Sequence, residues 1–279
     1  MTAVLLALLG AASYGVSDFV GGIFGKRASA WAVAATGGLG GAAAALVLAV
    51  AHPGDPRAAD LAWGAAAGVG NGIGTAFLYR GLASGRMGVV APVSGVLAVV
   101  LPVVVGVVTG ERPGVLVWLG IIAAVPAIWL VAREPDTGPA TGSAGSGARD
   151  GVLAGLGFGV LFTCLGQIPD GAGFWPLVLN QLVGVVVIAI AATLLGVVWV
   201  PREAAAWGGA LAGLLGGLAT AAFLLATHHG LLSVSAVLTS LYPAFTVLLA
   251  TLVLHERLHR GQAVGLALCT VTVVCVALG

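Results

Sequence analysis

Apolar runs about twenty residues long, separated by short knots of charge, proline and glycine, repeat from one end of the chain to the other. With charges and turn residues as boundaries there are ten: 3–25, closed by Lys26-Arg27; 30–51, closed by His52-Pro53-Gly54-Asp55-Pro56; 61–82; 87–109, closed by Gly110-Glu111-Arg112-Pro113; 114–132; 151–169; 174–200, closed by Pro201-Arg202-Glu203; 205–227; 233–254; and 261–278. A hydrocarbon core about 30 Å thick takes about 20 apolar residues per helix, so each run predicts one membrane-crossing helix. The first run is too long for a signal-peptide core and lacks a basic segment before it, which predicts a retained helix. One stretch breaks the rhythm: Arg133 to Asp150, REPDTGPATGSAGSGARD. Its Gly, Ser, Thr and Pro content predicts a flexible linker over 133–150. It divides the chain into two five-helix units, 1–132 and 151–279.

Composition removes the alternatives to a membrane protein. Of 279 residues only 8% are charged, with 59% hydrophobic and a mean hydropathy of +1.12. An average soluble domain carries about 25% charge. So few charges cannot cover a water-facing surface, which excludes an ordinary soluble enzyme and a disordered chain. A net charge of +1 provides no field for nucleic acid. The partner that composition demands is the lipid bilayer. Cys164, Cys269 and Cys275 lie in apolar runs without metal-ligand spacing, so buried free thiols are expected. The Ala, Gly and Val bias and the single lysine suggest a bacterial source, hence a multi-pass protein of the bacterial inner (cell) membrane.

The chain resembles itself at a shift of 145 residues. Gly64, Gly68 and Gly72 fall on Gly209, Gly213 and Gly217, Thr75-Ala76 on Thr220-Ala221, Gly85 on Gly230, and Glu111-Arg112 on Glu256-Arg257. Glycines at i, i+4 and i+8 form one ridge of a helix, and small residues on a ridge let helix backbones approach closely in lipid. The third and eighth helices are therefore expected to pack tightly at equivalent places. Because each half has an odd number of crossings, the second half enters the membrane inverted. Inverted repeats are common among secondary transporters. The Glu111 and Glu256 turns must then face opposite sides.

The motifs that these halves share resemble a known family. Gly230 to Leu268, GLLSVSAVLTSLYPAFTVLLATLVLHERLHRGQAVGLAL, has a small-residue turn, a helix with Tyr242-Pro243 at mid-span, Glu256 closing it and Gly265 in the last helix. Gly85 to Gly120, GRMGVVAPVSGVLAVVLPVVVGVVTGERPGVLVWLG, follows the same plan, and the start, LLGAASYGVSDFVGGIFGKRASA, matches in style. The chain resembles the EamA family of the drug/metabolite transporter superfamily across all but the linker. The resemblance implies an all-α integral membrane protein of ten transmembrane helices in two inverted five-helix repeats. It also implies export or exchange of a small metabolite or drug. It leaves the substrate and any coupling proton or ion open, and calls for no cofactor.

Polar groups inside hydrocarbon are expensive and each needs a reason. Asp18 is the one acid inside a predicted span. It shares a helix face with Tyr14, four residues earlier, and two readings stand: a cavity residue that binds a cationic group or a proton, or a local pair with a hydroxyl or with Lys26. In the ninth span Ser235, Thr239, Tyr242 and Thr246 fall at i, i+4, i+7 and i+11 around Pro243. This stripe either lines a cavity or satisfies the carbonyl that proline frees. Asn71, Thr75 and Tyr79 make a shorter ridge in the third span, and Arg80 after them suits a side chain snorkelling to the interface. The predicted substrate-binding set is Tyr14, Asp18, Asn71, Ser235, Thr239 and Tyr242.

His255-Glu256-Arg257-Leu258-His259 matches H-E-x-x-H, which on a helix places two imidazoles for Zn²⁺. The repeat copy, Gly110-Glu111-Arg112-Pro113-Gly114, keeps Glu-Arg and has neither histidine, so Glu-Arg reads as a structural unit and no metal or catalytic residue is assigned. The function that the sequence supports is secondary transport by alternating access. A lipid-linked group flippase, a non-transporting membrane protein and, more distantly, a membrane metalloprotease are its alternatives.

Overall fold

The structure is a computed structural model and describes residues 1–83, 87–133, 144–255 and 258–279. The described residues form eleven α-helices and no strand: α1 Thr2–Gly25, α2 Ala30–Ala51, α3 Ala58–Ala83, α4 Met87–Val108, α5 Val115–Ala132, α6 Ala144–Leu165, α7 Trp175–Leu194, α8 Gly208–His229, α9 Leu232–Thr239, α10 Tyr242–Val253 and α11 Arg260–Leu278. Because α9 and α10 share one crossing, these make the ten expected. Nine of the crossings among the described residues are long and apolar enough to span a bilayer by composition. The tenth, α3, is 26 residues long; its glycines and Asn71 make it the least apolar.

Three boundaries differ from the sequence reading. Helix α6 begins at Ala144 rather than Gly151, so the last residues of the expected linker are helical; most of that linker lies outside the described residues. Helix α7 stops at Leu194 instead of running to Val200. Gly196 follows with φ +66°, a left-handed residue that ends a helix at low strain. The ninth crossing is not one helix. α9 ends at Thr239 and α10 starts at Tyr242, with Pro243 in its first turn, where the missing N–H has no intrahelical acceptor to lose. By contrast α4 stays continuous over Pro92 and Pro102.

The exterior is what lipid requires. Leu5, Leu9, Val50, Leu119, Ile122, Val186, Ile190 and Leu252 are each more than half exposed. Exposed Trp63, Trp118 and Trp175 sit near helix ends on one face, and Trp129 and Trp207 on the other, as tryptophan does at membrane interfaces. Cys164 and Cys269 are buried free thiols, whereas Cys275 is only half-buried.

Inside, the two halves hold each other. α1 packs on α8 as α6 packs on α3, α2 packs on α8 as α7 packs on α3, and α5 packs on its counterpart α11. Exchanging the halves leaves this list of partners unchanged. The glycine ridges make the closest seams. A Cβ on Gly68 would lie 2.6 Å from the Asn180 carbonyl oxygen of α7, and one on Gly213 would lie 2.7 Å from Gly37 Cα of α2.

The symmetry fails along one pair of crossings. The buried residues of α1 stop at Gly15, although the helix runs on to Gly25. All eight residues of α9 are buried, but in α10 only Ala244 is. Both crossings run in the same direction, so they converge at the face where the chain starts and part toward the opposite face. In the other half α6 stays against α4: Cβ atoms on Gly151, Gly155 and Gly159 would lie 2.8, 2.6 and 2.9 Å from Val93, Leu97 and Leu101 Cβ.

Candidate functional site

Helix α1 sets the direction of Asp18; the other acids within the described α-helices, Asp60 and Asp150, lie near the starts of α3 and α6 and are nearly buried. Ala7, Ala11, Tyr14 and Asp18 fall at i, i+4, i+7 and i+11, on a single ridge. Ala7 and Ala11 are 0% exposed, while Leu5 and Leu9 on the opposite face are 63% and 56% exposed. Asp18 therefore points inward. It is nonetheless solvent-exposed, because it sits just past Gly15, where the crossings part. An inward-facing, exposed carboxylate lines an interior opening.

Tyr14 stands one turn before Asp18 on the same ridge, whereas Tyr79 of α3 packs against Trp31 and Ala34 of α2 and Ile188 and Ala192 of α7. The Tyr14 hydroxyl is 2.7 Å from Thr220 Oγ1, and Thr220 gives its own proton to the Gly216 carbonyl at 2.8 Å. Tyr14 is therefore the donor of that pair, and its ring is anchored to α8. That ring stands 6.0 Å from Tyr242 and 6.4 Å from Phe162, centroid to centroid, and Phe162 packs on Phe223 at 4.7 Å. These rings floor the opening on its sealed side.

The local-pair reading of Asp18 has no partner among the described residues. The Ser17 hydroxyl donates to the Ala212 carbonyl at 2.7 Å. Among the described residues the ion pairs are Arg80 with Asp150 and His228 with Asp170; Lys26 is in neither. Arg80 does not simply snorkel: it packs over the Phe77 ring at 4.5 Å and pairs with nearly buried Asp150, joining α3 to α6.

Three of the other residues predicted for the site are engaged elsewhere. Ser235 and Thr239 are 0% exposed. Thr239 donates to the Ala7 carbonyl at 3.3 Å, as Thr246 does to that of Gly15 at 3.3 Å, so two hydroxyls of the stripe fasten α9 and α10 to α1. The Ser235 hydroxyl has no partner among the described residues. Asn71 packs its amide against Gly184 of α7.

Glu111 shows what the Glu-Arg turn does in the first half. Its carboxylate accepts hydrogen bonds from the backbone N–H groups of Leu232 and Ser233, the latter at 3.1 Å. It thus caps the first turn of α9 in the opposite half, where the helix end carries partial positive charge. Glu256 and Arg257 lie outside the described residues. His255 has φ 55° and follows α10, while His259 is the N-cap of α11 and its N–H donates to Gln262 Oε1 at 3.1 Å. The two histidines thus do not share the helical turn that H-E-x-x-H chemistry needs.

Ten crossings in two interlocked, oppositely inserted halves, with polar side chains turned inward, define a multi-pass membrane protein of the inverted-repeat kind. The model of the EamA-like transporter family matches residues 1–133 and 148–278, and the chain belongs to that family. A solved crystal structure of a protein aligns over 99% of this chain and 96% of that one, at 15% identity and a TM-score of 0.75; at that identity the likeness shows the fold. No curated protein matches the chain.

Proposed function

We propose that this protein carries a small metabolite or drug across the bacterial inner membrane, in the direction of export, by alternating access between its two halves. Its activity on this reading is transport and not catalysis. The substrate site on this reading is Asp18 with Tyr14 and Tyr242. One observation carries the reading: the Asp18 carboxylate, far along α1, lies on its inward ridge yet is exposed, beyond a layer sealed by Tyr14, Phe162 and Phe223.

The sealed layer also supports it. The hydroxyls of Ser233, Ser235 and Ser240 on and beside α9 are buried and have no partner among the described residues. A buried hydroxyl left unpaired costs about 1–3 kcal/mol. Opening the chain-start face would hydrate these groups and recover part of that cost. Ser235 and Thr239 then line the path in the opposite-facing state, not in this one, and a coupling proton or ion would share the same carboxylate.

The test is transport in proteoliposomes, with substrates first selected by comparing metabolite and toxin resistance in cells with and without the gene. Asp18→Asn at matched expression should abolish uptake or efflux, since an amide keeps the shape and loses the charge. An unchanged rate would remove Asp18 from the path.

A further inference from the structure

We propose that Glu111 is the latch of the closed chain-start face. Its carboxylate, in the turn between α4 and α5, holds the short helix α9 of the opposite half in place, and that hold is released and remade in each transport cycle. The inference rests on the alternating-access reading above and adds to it a positioning residue that touches no substrate.

Helix α9 is a separate piece of chain. It has eight residues, begins just after Gly230 in extended backbone, and is divided from α10 at Ser240 and Leu241. Although it belongs to the second half, the side-chain hydrogen bonds that fasten it among the described residues all run to the first. Glu111 accepts from the N–H groups of Leu232 and Ser233 at its start, and Thr239 donates to the Ala7 carbonyl at its end. Its own N-cap residue, Leu231, makes no side-chain cap bond. The first four N–H groups of a helix lack an intrahelical partner, so the acceptor for two of them is supplied from the opposite half. Every residue of α9 is buried, which makes the helix a plug in this face.

The turn that carries Glu111 is shaped for this contact. The chain reverses through Gly110 at φ +110°, which glycine adopts at low cost, and the Glu111 N–H donates back to the Gly106 carbonyl at 2.9 Å. A Cβ on Gly106 would run into Glu111 Oε2, so the glycine leaves room for the carboxylate to fold over the end of α4. Arg112 does not compete for it: the guanidinium donates to the carbonyls of Val107 at 3.3 Å and Glu111 at 2.9 Å. A charged acceptor binds N–H groups more strongly than a neutral one, yet this one sits in a surface turn, where water can take the place of both partners. Such a contact holds a face shut and can still be given up. The Ser233 and Ser235 hydroxyls, buried behind it without partners among the described residues, gain water when it is released.

Thiol labelling of the full chain, freed of its native cysteines and held in membrane vesicles of known orientation, tests this. Ser235→Cys reports on the space behind the latch, and Ala124→Cys, at a fully buried position of α5, reports on general loosening. With Glu111 in place, a membrane-impermeant reagent on the chain-start side should label both slowly. Glu111→Ala should raise labelling of Ser235→Cys from that side about tenfold or more, because the loss of two hydrogen bonds to a charged group shifts the balance toward the open face. Labelling of Ala124→Cys should not change. Glu111→Gln keeps one acceptor oxygen without the charge, and Gly106→Ala keeps the charge but displaces it; each should give a smaller rise, about threefold. Equal rates for Ser235→Cys with and without the carboxylate would overturn the latch. So would labelling of Ala124→Cys in step with Ser235→Cys, since Glu111 would then be a general brace of the fold. The two readings separate when transport is measured alongside. Glu111-dependent labelling with equal transport by wild type and Asp18→Asn keeps the latch and removes the Asp18 site; loss of transport in Asp18→Asn with labelling indifferent to Glu111 does the reverse.

Discussion

The two halves of this protein build the same crossing twice and fill it differently. Gly10 of α1 packs on Ala219 of α8, and Gly157 of α6 packs on Gly74 of α3. In that register Tyr14 corresponds to Leu161 and Asp18 to Leu165. The 145-residue shift that aligns the glycine ridges pairs Tyr242 with Leu97. Every member of the polar cluster thus has a leucine as its counterpart. Leu161 and Leu165 are 4% and 0% exposed, whereas Asp18 is open to the interior space. A repeated fold supplies two equivalent faces, and on the proposed reading one polar group is enough to hold a substrate. A second at the apolar face would be buried and unpaired in this state. The seams that hold the halves together are duplicated, and the chemistry is not.

The contrast breaks most sharply by exchanging the two faces. Leu165→Asp places a carboxylate where nothing is exposed, and should cost several kcal/mol, about 3–5, and prevent accumulation of monodisperse protein. The reverse change, Asp18→Leu, should leave the thermal midpoint within a few degrees and abolish transport. Size-exclusion profiles and melting curves in detergent check both, and equal damage from the two would mean that the faces are alike.

Next in size come the seams, which should respond alike. Gly213→Val drives a side chain into the Gly37 backbone, and Gly68→Val does the same at Asn180. Each should destabilise by about 1–3 kcal/mol or more through overpacking. A large loss from one and none from the other would show that the repeat is decorative at one of its seams.

A smaller effect separates the ends of the two crossings. Arg80 and Asp150 pair where α3 meets α6, and the corresponding Leu225 and Ala3 have no charge. Arg80→Ala leaves Asp150 nearly buried without its partner. Discounted for the half-exposed arginine, the expected loss is about 1–2 kcal/mol, partly restored in Arg80→Ala/Asp150→Ala. Full additivity of the two single losses would argue against the pair.

The smallest is Thr220→Val. It removes one hydrogen bond to Tyr14 and should cost about 1 kcal/mol, with transport slowed through the loosened ring but not lost. Unchanged transport and stability would mean that the Thr220 contact does not hold Tyr14 in place.

Much of the fold was written in the order of residues. The ten crossings, the two halves and the glycine seams all follow from local rules. Lipid demands about twenty apolar residues per helix, and small residues at i and i+4 mark close helix approach. The misplaced boundaries have local explanations too: Gly196 stops α7, and Pro243 is a helix starter at the break and not an internal kink. That Asp18 and Tyr14 share a helix face was legible for the same reason, since they lie four residues apart on one helix. Ser235 and Thr239 were read as lining a cavity because periodicity tells which side chains share a face, but not what that face meets. Thr239 meets the Ala7 carbonyl. Tyr14 met Thr220 and Tyr242 only when α1 was packed against α8 and α10. The partner of Glu111, 121 residues away at Leu232, was equally invisible. Sequence by itself determined what could enter the bilayer, how many times, and with which inversion, because those depend on transfer of each segment into hydrocarbon. Only the tertiary structure decided which polar groups face water and which are sealed, because that depends on where crossings from opposite halves converge and where they part.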